Sequence, residues 1–323
     1  MKLTHHLLQG VIVAAVVLVL LDELVLNGTM RPSFWSVAFL LFPFFIPLGS
    51  IYPDADYFDS FKIRCHNKFA LILSIVARIL AYPLHYLIYK PTYIFLKRIV
   101  PQKYNELVRN EHRNVNHTIL GITLASVIFC IMINFMPLVL SVWFKEYTFV
   151  LMGAAISVGG LMGFWLGAFM HLMQDAYSKS GIKLLQPFSE FRISGDYKIY
   201  QDKDVRDRIM SFSFYAALGA LVGFLEIFNF DKVFPVAILT IVSLFLFYGV
   251  IFNLQINYND QTRKLKMPLC LLLALLWAPT AYYFWKIVSV FLLYLFIFYL
   301  AFKKAEYDMT HSLVKQTKPH PPQ

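Results

Sequence analysis

Residues 155–175 read AISVGGLMGFWLGAFMHLMQD, an apolar segment that ends in a histidine and an aspartate. Small residues recur here at every fourth position, and the same spacing continues into the two polar residues: Ala155, Gly159, Gly163, Gly167, His171 and Asp175. Residues four apart lie on one side of a helix. Small residues at that spacing let membrane helices approach closely. The segment therefore predicts an apolar helix that packs tightly against a neighbour and carries a His/Asp pair at its end.

The remainder of the chain has a similar character. Its 323 residues are 59% hydrophobic and 15% charged, with a mean hydropathy of +0.60. That balance is typical of an integral membrane protein, and apolar runs of spanning length recur. We predict an all-α fold, a polytopic transmembrane helical bundle with about eight spans, near residues 7–26, 35–52, 118–142, 149–172, 212–229, 233–256, 268–285 and 287–302. No cleavage pattern follows the first apolar run, so we expect it to be retained as a span.

The positions of lysine and arginine predict the orientation. With eight spans, 24 of the 29 basic residues lie on the side where the chain begins, and Arg78 lies in an apolar segment. The opposite side holds only Arg31, Lys145, Lys232 and Lys286. Basic residues concentrate in cytoplasmic loops. We therefore predict a multi-pass protein of the inner (cytoplasmic) membrane with both termini in the cytoplasm.

Residues 69–89 are apolar enough to be considered as a further span. Arg78 lies in their middle and Tyr82-Pro83 should interrupt a helix, and both are unfavourable at the centre of a bilayer. An interfacial or re-entrant helix is the better interpretation. If the segment crossed alone, His117 would lie on the opposite side of the membrane from Asp54.

Seven residues at the ends of the first four spans are candidate metal ligands. Histidine and carboxylate are the donors that suit zinc, manganese and iron. The predicted topology places all seven on the cytoplasmic face: His6, Asp54, Asp56, His112, His117, His171 and Asp175. A cytoplasmic-facing metal site is the prediction that follows.

The first and third predicted spans each carry a stripe of small residues like that of the fourth span. Each places a histidine and two small residues at four-residue intervals: His6, Gly10 and Ala14 in the first span, and His117, Gly121 and Ala125 in the third. Tightly crossed helices would bring these histidines together at one end of the bundle.

Each motif also has a purely structural interpretation. His171 and Asp175 suit a capping pair, and the Pro53–Asp56 turn suits a solvated helix end. Thr118 or Asn116 would serve as the N-cap of the third span. On the metal interpretation, two carboxylates so close in the turn need a cation to relieve their repulsion.

The motifs occur in the order His6-Leu-Leu, Pro53-Asp-Ala-Asp56, His112-Arg-Asn-Val-Asn-His117-Thr, Gly167-Ala-Phe-Met-His171-Leu-Met-Gln-Asp175 and Gly181-Ile-Lys-Leu-Leu-Gln-Pro187. This order resembles the YdjM-type family of membrane-bound predicted metal-dependent hydrolases, over roughly residues 1–190. That family is similar to zinc-dependent phospholipase C and related nucleases, which are helical and use several zinc ions.

The resemblance implies two zinc ions, with Asp175 as the bridging ligand. A third zinc would need further histidines, and the chain has none between Asp175 and His311. Two positions depart from the family pattern, since Tyr57 replaces a histidine and Asn116 replaces a threonine. These departures leave open which of the paired candidates bind metal directly.

The predicted function is hydrolysis of a phosphoester of a lipid or lipid-linked substrate at the cytoplasmic face. Asp54 or Asp56 would accept the proton of the attacking water, His112 would act as acid or base, and Arg113 would hold a phosphoryl oxygen. Membrane lipids are the expected partners, and basic loop residues would attract an anionic lipid or a phosphate-bearing substrate. No motif indicates nucleic-acid binding. The alternative is a non-enzymatic transporter or scaffold with a structural metal site.

The same patterns predict the domain organisation. Residues 1–190 form a metal-dependent hydrolase-like membrane domain, and 191–211 a basic cytoplasmic loop. Residues 212–302 form a four-span region, and 303–323 a polar cytoplasmic tail.

Overall fold

A computed structural model describes the second, third and fourth predicted spans and parts of the rest. The described residues are 6–7, 10–11, 13–14, 34–55, 68–99, 115–186, 188–189, 191–196, 242, 246–258, 261–276, 296 and 300. Among the predicted site residues, Asp56, His112 and Arg113 lie outside this set, as do the span predicted at 212–229 and the tail 303–323.

The described chain is mostly helical. Its principal elements in order are α1 Phe34–Ile51, α2 Lys68–Leu84, a π-helical turn His85–Tyr89, α3 Lys90–Ile99, a 3₁₀ turn Val115–His117, α4 Ile119–Phe144, α5 Thr148–Ala176, β1 Arg192–Ser194, β2 Gln255–Tyr258 and β3 Gln261–Lys264. An apolar helix Lys266–Leu276 follows the last strand. The residues described between His6 and Ala14 are also helical.

Two described helices are long and apolar enough to cross a membrane. They are α4, with 26 residues, and α5, with 29. They confirm the helices predicted at 118–142 and 149–172, and α1 matches the helix predicted at 35–52. The described residues do not show the other predicted spans as membrane-length helices, so the number eight stays a prediction.

The glycines of α5 lie directly against the backbone of α1. A Cβ atom added at Gly159, Gly163 or Gly167 would lie 2.4, 2.1 or 2.0 Å from a carbonyl oxygen of α1. No side chain fits in that space, because the opposing atoms are main chain. The stripe of small residues therefore serves the close helix contact that its spacing predicts.

The prediction that Tyr82-Pro83 interrupts the helix is wrong. α2 continues through Pro83 into the π-helical turn and then into α3, so the segment from Lys68 to Ile99 is helical throughout. Proline removes a hydrogen bond and crowds the preceding turn. The wider π turn that follows, in which the N–H of Lys90 donates to the carbonyl of His85, accommodates that change within the helix. We call this segment the α2–α3 rod.

The described chain is mostly helical, as the all-α prediction has it, but three short strands also form an antiparallel sheet. β1 pairs with β2 and β2 with β3, in the order β1-β2-β3. The helix before β2 ends at Ile251, short of the predicted 256, and Asn253 then adopts a positive φ. Residues 255–264 were predicted as a span end and a loop, but their polar alternation lets them pair with β1 instead.

The chain divides into two compact units. The first comprises residues 1–198 with 247–267, and the second comprises 199–246 with 268–323. The first unit contains α1 to α5, the sheet and a core that includes Ile51, Tyr52, Phe164 and Leu172. The domain boundaries predicted from the sequence stay predictions.

Candidate metal centre

The end of α1 supplies the first parts of the site. Tyr52 and Pro53 follow the helix, and a turn in which the N–H of Ala55 donates to the carbonyl of Tyr52 carries Asp54. The last carbonyls of a helix have no partner within the helix. The carbonyl of Ser50, in the last turn of α1, is thus available to a side chain from elsewhere.

His171, in the last two turns of α5, takes that carbonyl as its partner. Its Nδ1–H donates to the Ser50 carbonyl at 2.7 Å, which leaves Nε2 as the nitrogen that faces the carboxylates. Four residues further on, Asp175 lies on the same side of α5, with Oδ2 3.6 Å from His171 Nε2. The helix spacing and one hydrogen bond therefore orient both donors.

The N-terminal segment brings His6 to the same place. Its Nδ1–H donates to Oε1 of Gln174 at 2.5 Å, and its ring stacks on that of His171 with centroids 3.7 Å apart. Gly10, one turn along, lies so close to Ser50 and Pro47 that a Cβ would collide with them. As with His171, the Nδ1 hydrogen bond leaves Nε2 for the cluster.

His117 comes from the 3₁₀ turn in front of α4. Thr118 is the N-cap of α4, and its side chain accepts a hydrogen bond from the N–H of Gly121 at 3.0 Å. The preceding residue, Asn116, accepts a hydrogen bond from the Tyr52 hydroxyl at 3.1 Å. Thr118 therefore has the capping role that its structural interpretation predicts, while His117 remains directed at Asp54.

The five donors lie within a small volume. His117 Nε2 is 3.3 Å and His171 Nε2 3.6 Å from Asp54 Oδ1, while His6 Nε2 is 3.9 Å from Asp54 Oδ2. His117 Nε2 is also 3.9 Å from Asp175 Oδ2. Both oxygens of Asp54 thus face histidines. All five residues are buried, and Asp54 is the most exposed of them at 7%.

These distances fit a divalent metal ion. Zinc binds histidine nitrogen and carboxylate oxygen at about 2.0–2.2 Å, so the donors of a tetrahedral site lie about 3.3–3.6 Å apart. The Nε2 atoms of His6 and His171 are buried, and neither has a hydrogen-bond partner among the described residues. Buried polar atoms of this kind require an explanation, and a bound cation supplies one. The residues present therefore fit the predicted metal.

Two overlapping triads have the right geometry. One is His6, His171 and Asp175, and the other is Asp54, His117 and His171. They share His171, whose Nε2 binds a single ion. The described donors alone therefore cannot complete both triads at once.

Two of the five donors, Asp54 and His117, have pKa shifts in the direction that metal binding requires. Burial raises the pKa of the Asp54 carboxyl, but the charge of a protonated His171 and the hydrogen bond from His117 outweigh burial and hold that pKa well below its usual range. Burial lowers the pKa of His117, against the raising effect of its hydrogen bond to Asp54. Asp54 is therefore ionised and His117 neutral near pH 7, and those are the forms that bind a metal.

The structure brings together five of the seven predicted ligands. Asp56 and His112, and the predicted phosphate-binding Arg113, lie outside the described residues. Sequence reasoning missed Gln174, which holds His6, and the Ser50 carbonyl, which holds His171. Gln174 was detectable as a polar side chain within an apolar helix between two candidate ligands. A main-chain carbonyl leaves no such signal.

Fold and cluster together define a helical membrane protein with a buried His/Asp site that is able to bind a metal. The chain belongs to the YdjM inner membrane protein family, whose family model matches residues 1–305. The match reaches well beyond residues 1–190, over which the sequence motifs occur. No curated protein and no solved structure matches the chain. Family membership makes it a protein of the inner membrane.

Proposed function

We propose that this protein is a divalent-metal-dependent hydrolase embedded in the inner membrane, acting on a phosphoester of a lipid or lipid-linked substrate at the cytoplasmic face. The observation that carries the proposal is the convergence of five buried metal donors from four separate segments. His6 and His171 are each held by a hydrogen bond at Nδ1, which leaves Nε2 for the ion. This arrangement is typical of metal-ligating histidines.

The position of the cluster supports a lipid substrate. His117 immediately precedes α4 and Asp175 lies at the end of α5, so the cluster lies at one end of two membrane-length helices. That end corresponds to the depth of lipid headgroups. The basic residues predicted on the cytoplasmic side favour anionic substrates there.

Two contacts support the proposed topology. His117 meets Asp54, so the intervening segment begins and ends at one end of the bundle, as an interfacial or re-entrant helix requires. β1 pairs with the hairpin β2–β3, and the charge count assigns both segments to the cytoplasmic side. Two segments on the same side of the membrane are separated by an even number of membrane crossings, and both contacts agree with this.

In the proposed mechanism, a divalent ion supplies a Lewis acid for the phosphoryl group and an acidified water. The ion would be held by His171 together with His6 and Asp175, or together with Asp54 and His117. With the first set, Asp54 would accept the proton of the attacking water, since both of its carboxylate oxygens face the cluster. The second zinc implied by the family resemblance would take Asp56 and His112, and Arg113 would hold a phosphoryl oxygen. The bridging role of Asp175 stays a prediction.

Metal analysis of the detergent-purified protein tests the proposal. We expect two ions per chain at neutral pH, and one ion in each of the Asp56→Ala/His112→Ala and His171→Ala variants. His311→Ala, which removes a histidine from the tail, is the matched control and should retain both ions. Release of phosphate or headgroup from native lipids should require the metal and return when it is added back. Wild-type protein without stoichiometric metal contradicts the proposal.

One alternative is a structural metal site in a non-enzymatic protein, and the burial of the donors favours it. A structural zinc ion is fully coordinated by four protein ligands, and five buried donors are enough to supply them. Replacing the metal with Co²⁺ distinguishes the two functions, because the visible spectrum of the bound Co²⁺ ion reports how many ligands it has. A shift of the spectrum on adding phosphate indicates an open position and supports catalysis, whereas an unchanged spectrum favours the structural role.

A further inference from the structure

The α2–α3 rod has two unlike sides. Its inner side is buried in the core of the first unit and carries Ala77, Ala81, Leu84 and Ile88. Its outer side is exposed along α2 and the π turn and carries large apolar residues, with exposures from 43% to 65%: Ile72, Ile75, Ile79, Tyr82, Tyr86 and Leu87. An apolar surface of this extent is unusual on a face that contacts water.

The charged residues of the rod all have one sign, and three of the five lie in α3. The sequence from 68 to 99 contains no aspartate or glutamate. Lys90 lies over the ring of Tyr86, 5.8 Å from its centroid, and Lys97 and Arg98 are exposed in the last turn of α3. Apolar residues followed by tyrosines and then by basic residues are typical of a helix at a membrane surface.

The sizes of the side chains identify what covers the outer face. Helices that associate within membranes meet through small residues. In α2 the small residues Ala77 and Ala81 are on the inner side, and the outer side has bulky branched and aromatic ones. This distribution favours lipid over a second copy of the chain.

We propose that the outer face of the α2–α3 rod contacts the lipid bilayer, with Ile72, Ile79 and Leu87 among the acyl chains and with Lys90, Lys97 and Arg98 at anionic headgroups. The inner side connects the rod to the metal cluster. Tyr89 packs against Tyr52 with ring centroids 6.1 Å apart, and Tyr52 is two residues from Asp54. The rod thus presents lipid beside the cluster, and this inference does not require the cluster to be catalytic.

Fluorescence quenching in proteoliposomes tests the contact. In a background lacking Cys65, Cys130 and Cys270, the variants Ile79→Cys and Lys97→Cys are each labelled with a small thiol-reactive fluorophore. We expect brominated phosphatidylcholine to quench the label at position 79 several-fold more than aqueous iodide does, with the opposite preference at position 97.

Two outcomes overturn the proposal. If iodide quenches both labels equally, the outer face contacts water. If neither quencher reaches position 79, protein covers the face, and disulfide-linked dimers of unlabelled Ile79→Cys would then identify a second copy as its partner.

The headgroup contact is tested separately by charge reversal. Phosphatidylglycerol in phosphatidylcholine vesicles should raise the thermal midpoint of the wild type, and this gain should disappear in Lys97→Glu/Arg98→Glu. The exchange Lys97→Arg/Arg98→Lys preserves the charge and should preserve the gain. An equal gain in the reversed variant excludes a headgroup contact at the end of α3.

Discussion

The two ends of the α4–α5 pair differ in packing. At the end near the metal cluster, Ile122 and Leu172 are fully buried. At the opposite end, Val142 and Trp143 are each 79% exposed and Leu151 is 50% exposed.

The difference shows where a membrane protein needs tight packing. Lipid chains are as apolar as leucine, so an exposed valine or leucine at the far end has little to gain from protein contacts. The polar cluster needs rigid surroundings, because metal ligands must be held within a fraction of an ångström of their working geometry. The glycines that permit close packing continue along α5 to the cluster.

Adding one methyl group to the α1–α5 contact should have the largest effect. In Gly163→Ala the new Cβ lies 2.1 Å from the carbonyl oxygen of Phe42, so the helices must move apart. We expect a loss of about 1–3 kcal/mol in stability and a loss of bound metal. Thermal unfolding in detergent and metal content measure the two effects.

Gly153→Ala at the far end of α5 is the matched control. Its Cβ meets side-chain atoms of Asn134 and Pro137 instead of main chain. Metal content should remain unchanged in this variant. Equal loss of metal in both variants would show that packing near the cluster has no special importance.

Removing the hydrogen-bond acceptor of His6 should have the next largest effect. In Gln174→Met the His6 ring loses the partner that directs Nε2 at the cluster. Loss of such an outer contact typically weakens metal affinity about 10- to 100-fold. Competition with a chelating dye measures the affinity, and Gln174→Glu, which keeps an acceptor, should restore it. Wild-type affinity in Gln174→Met would contradict this role.

Acid should destabilise the metal-free protein through His117. Its folded pKa is lowered by burial from 6.5, so below pH 6.5 the unfolded chain takes up a proton that the folded chain does not. This contribution is at most about 1.4 kcal/mol per pH unit. The pKa of Asp54 is below its ordinary 3.8, so its contribution is lost only in stronger acid.

Thermal midpoints of chelator-treated protein at pH 7.5 and 5.5 measure the effect. His117→Gln cannot titrate and should show a smaller fall than the wild type. A larger fall in His117→Gln would reverse the assigned direction.

The smallest effect is expected at the far end of α4. Val142 is almost fully exposed, so Val142→Ala removes few protein contacts. We expect stability within about 0.5 kcal/mol of the wild type and unchanged metal content. A loss comparable to that of Gly163→Ala would mean that this end is packed against protein.

The sequence allowed prediction of α1, α4 and α5 to within a few residues, together with the meeting of His6, His117 and His171. Those predictions rest on local signals, namely apolar runs, four-residue spacing and a proline at a helix end. The sheet could not be predicted, because β1 and its partner strand are far apart in the chain and each is only a few residues long. The π turn after Pro83 depends on how the rod packs, which periodicity does not reveal.

The sheet also affects the order in which the protein can be assembled during synthesis. All five described candidate donors precede residue 176. β1 pairs with Ile182 along one edge, but its other edge gains a partner only when residues 255–264 have been made. Until then that edge of β1 has no partner strand, and such edges invite association with other chains. A product ending near residue 190 would contain every described donor but would lack the hairpin and β1, the segments that complete the first unit. Shortened versions of this protein should therefore be designed to retain residues 247–267.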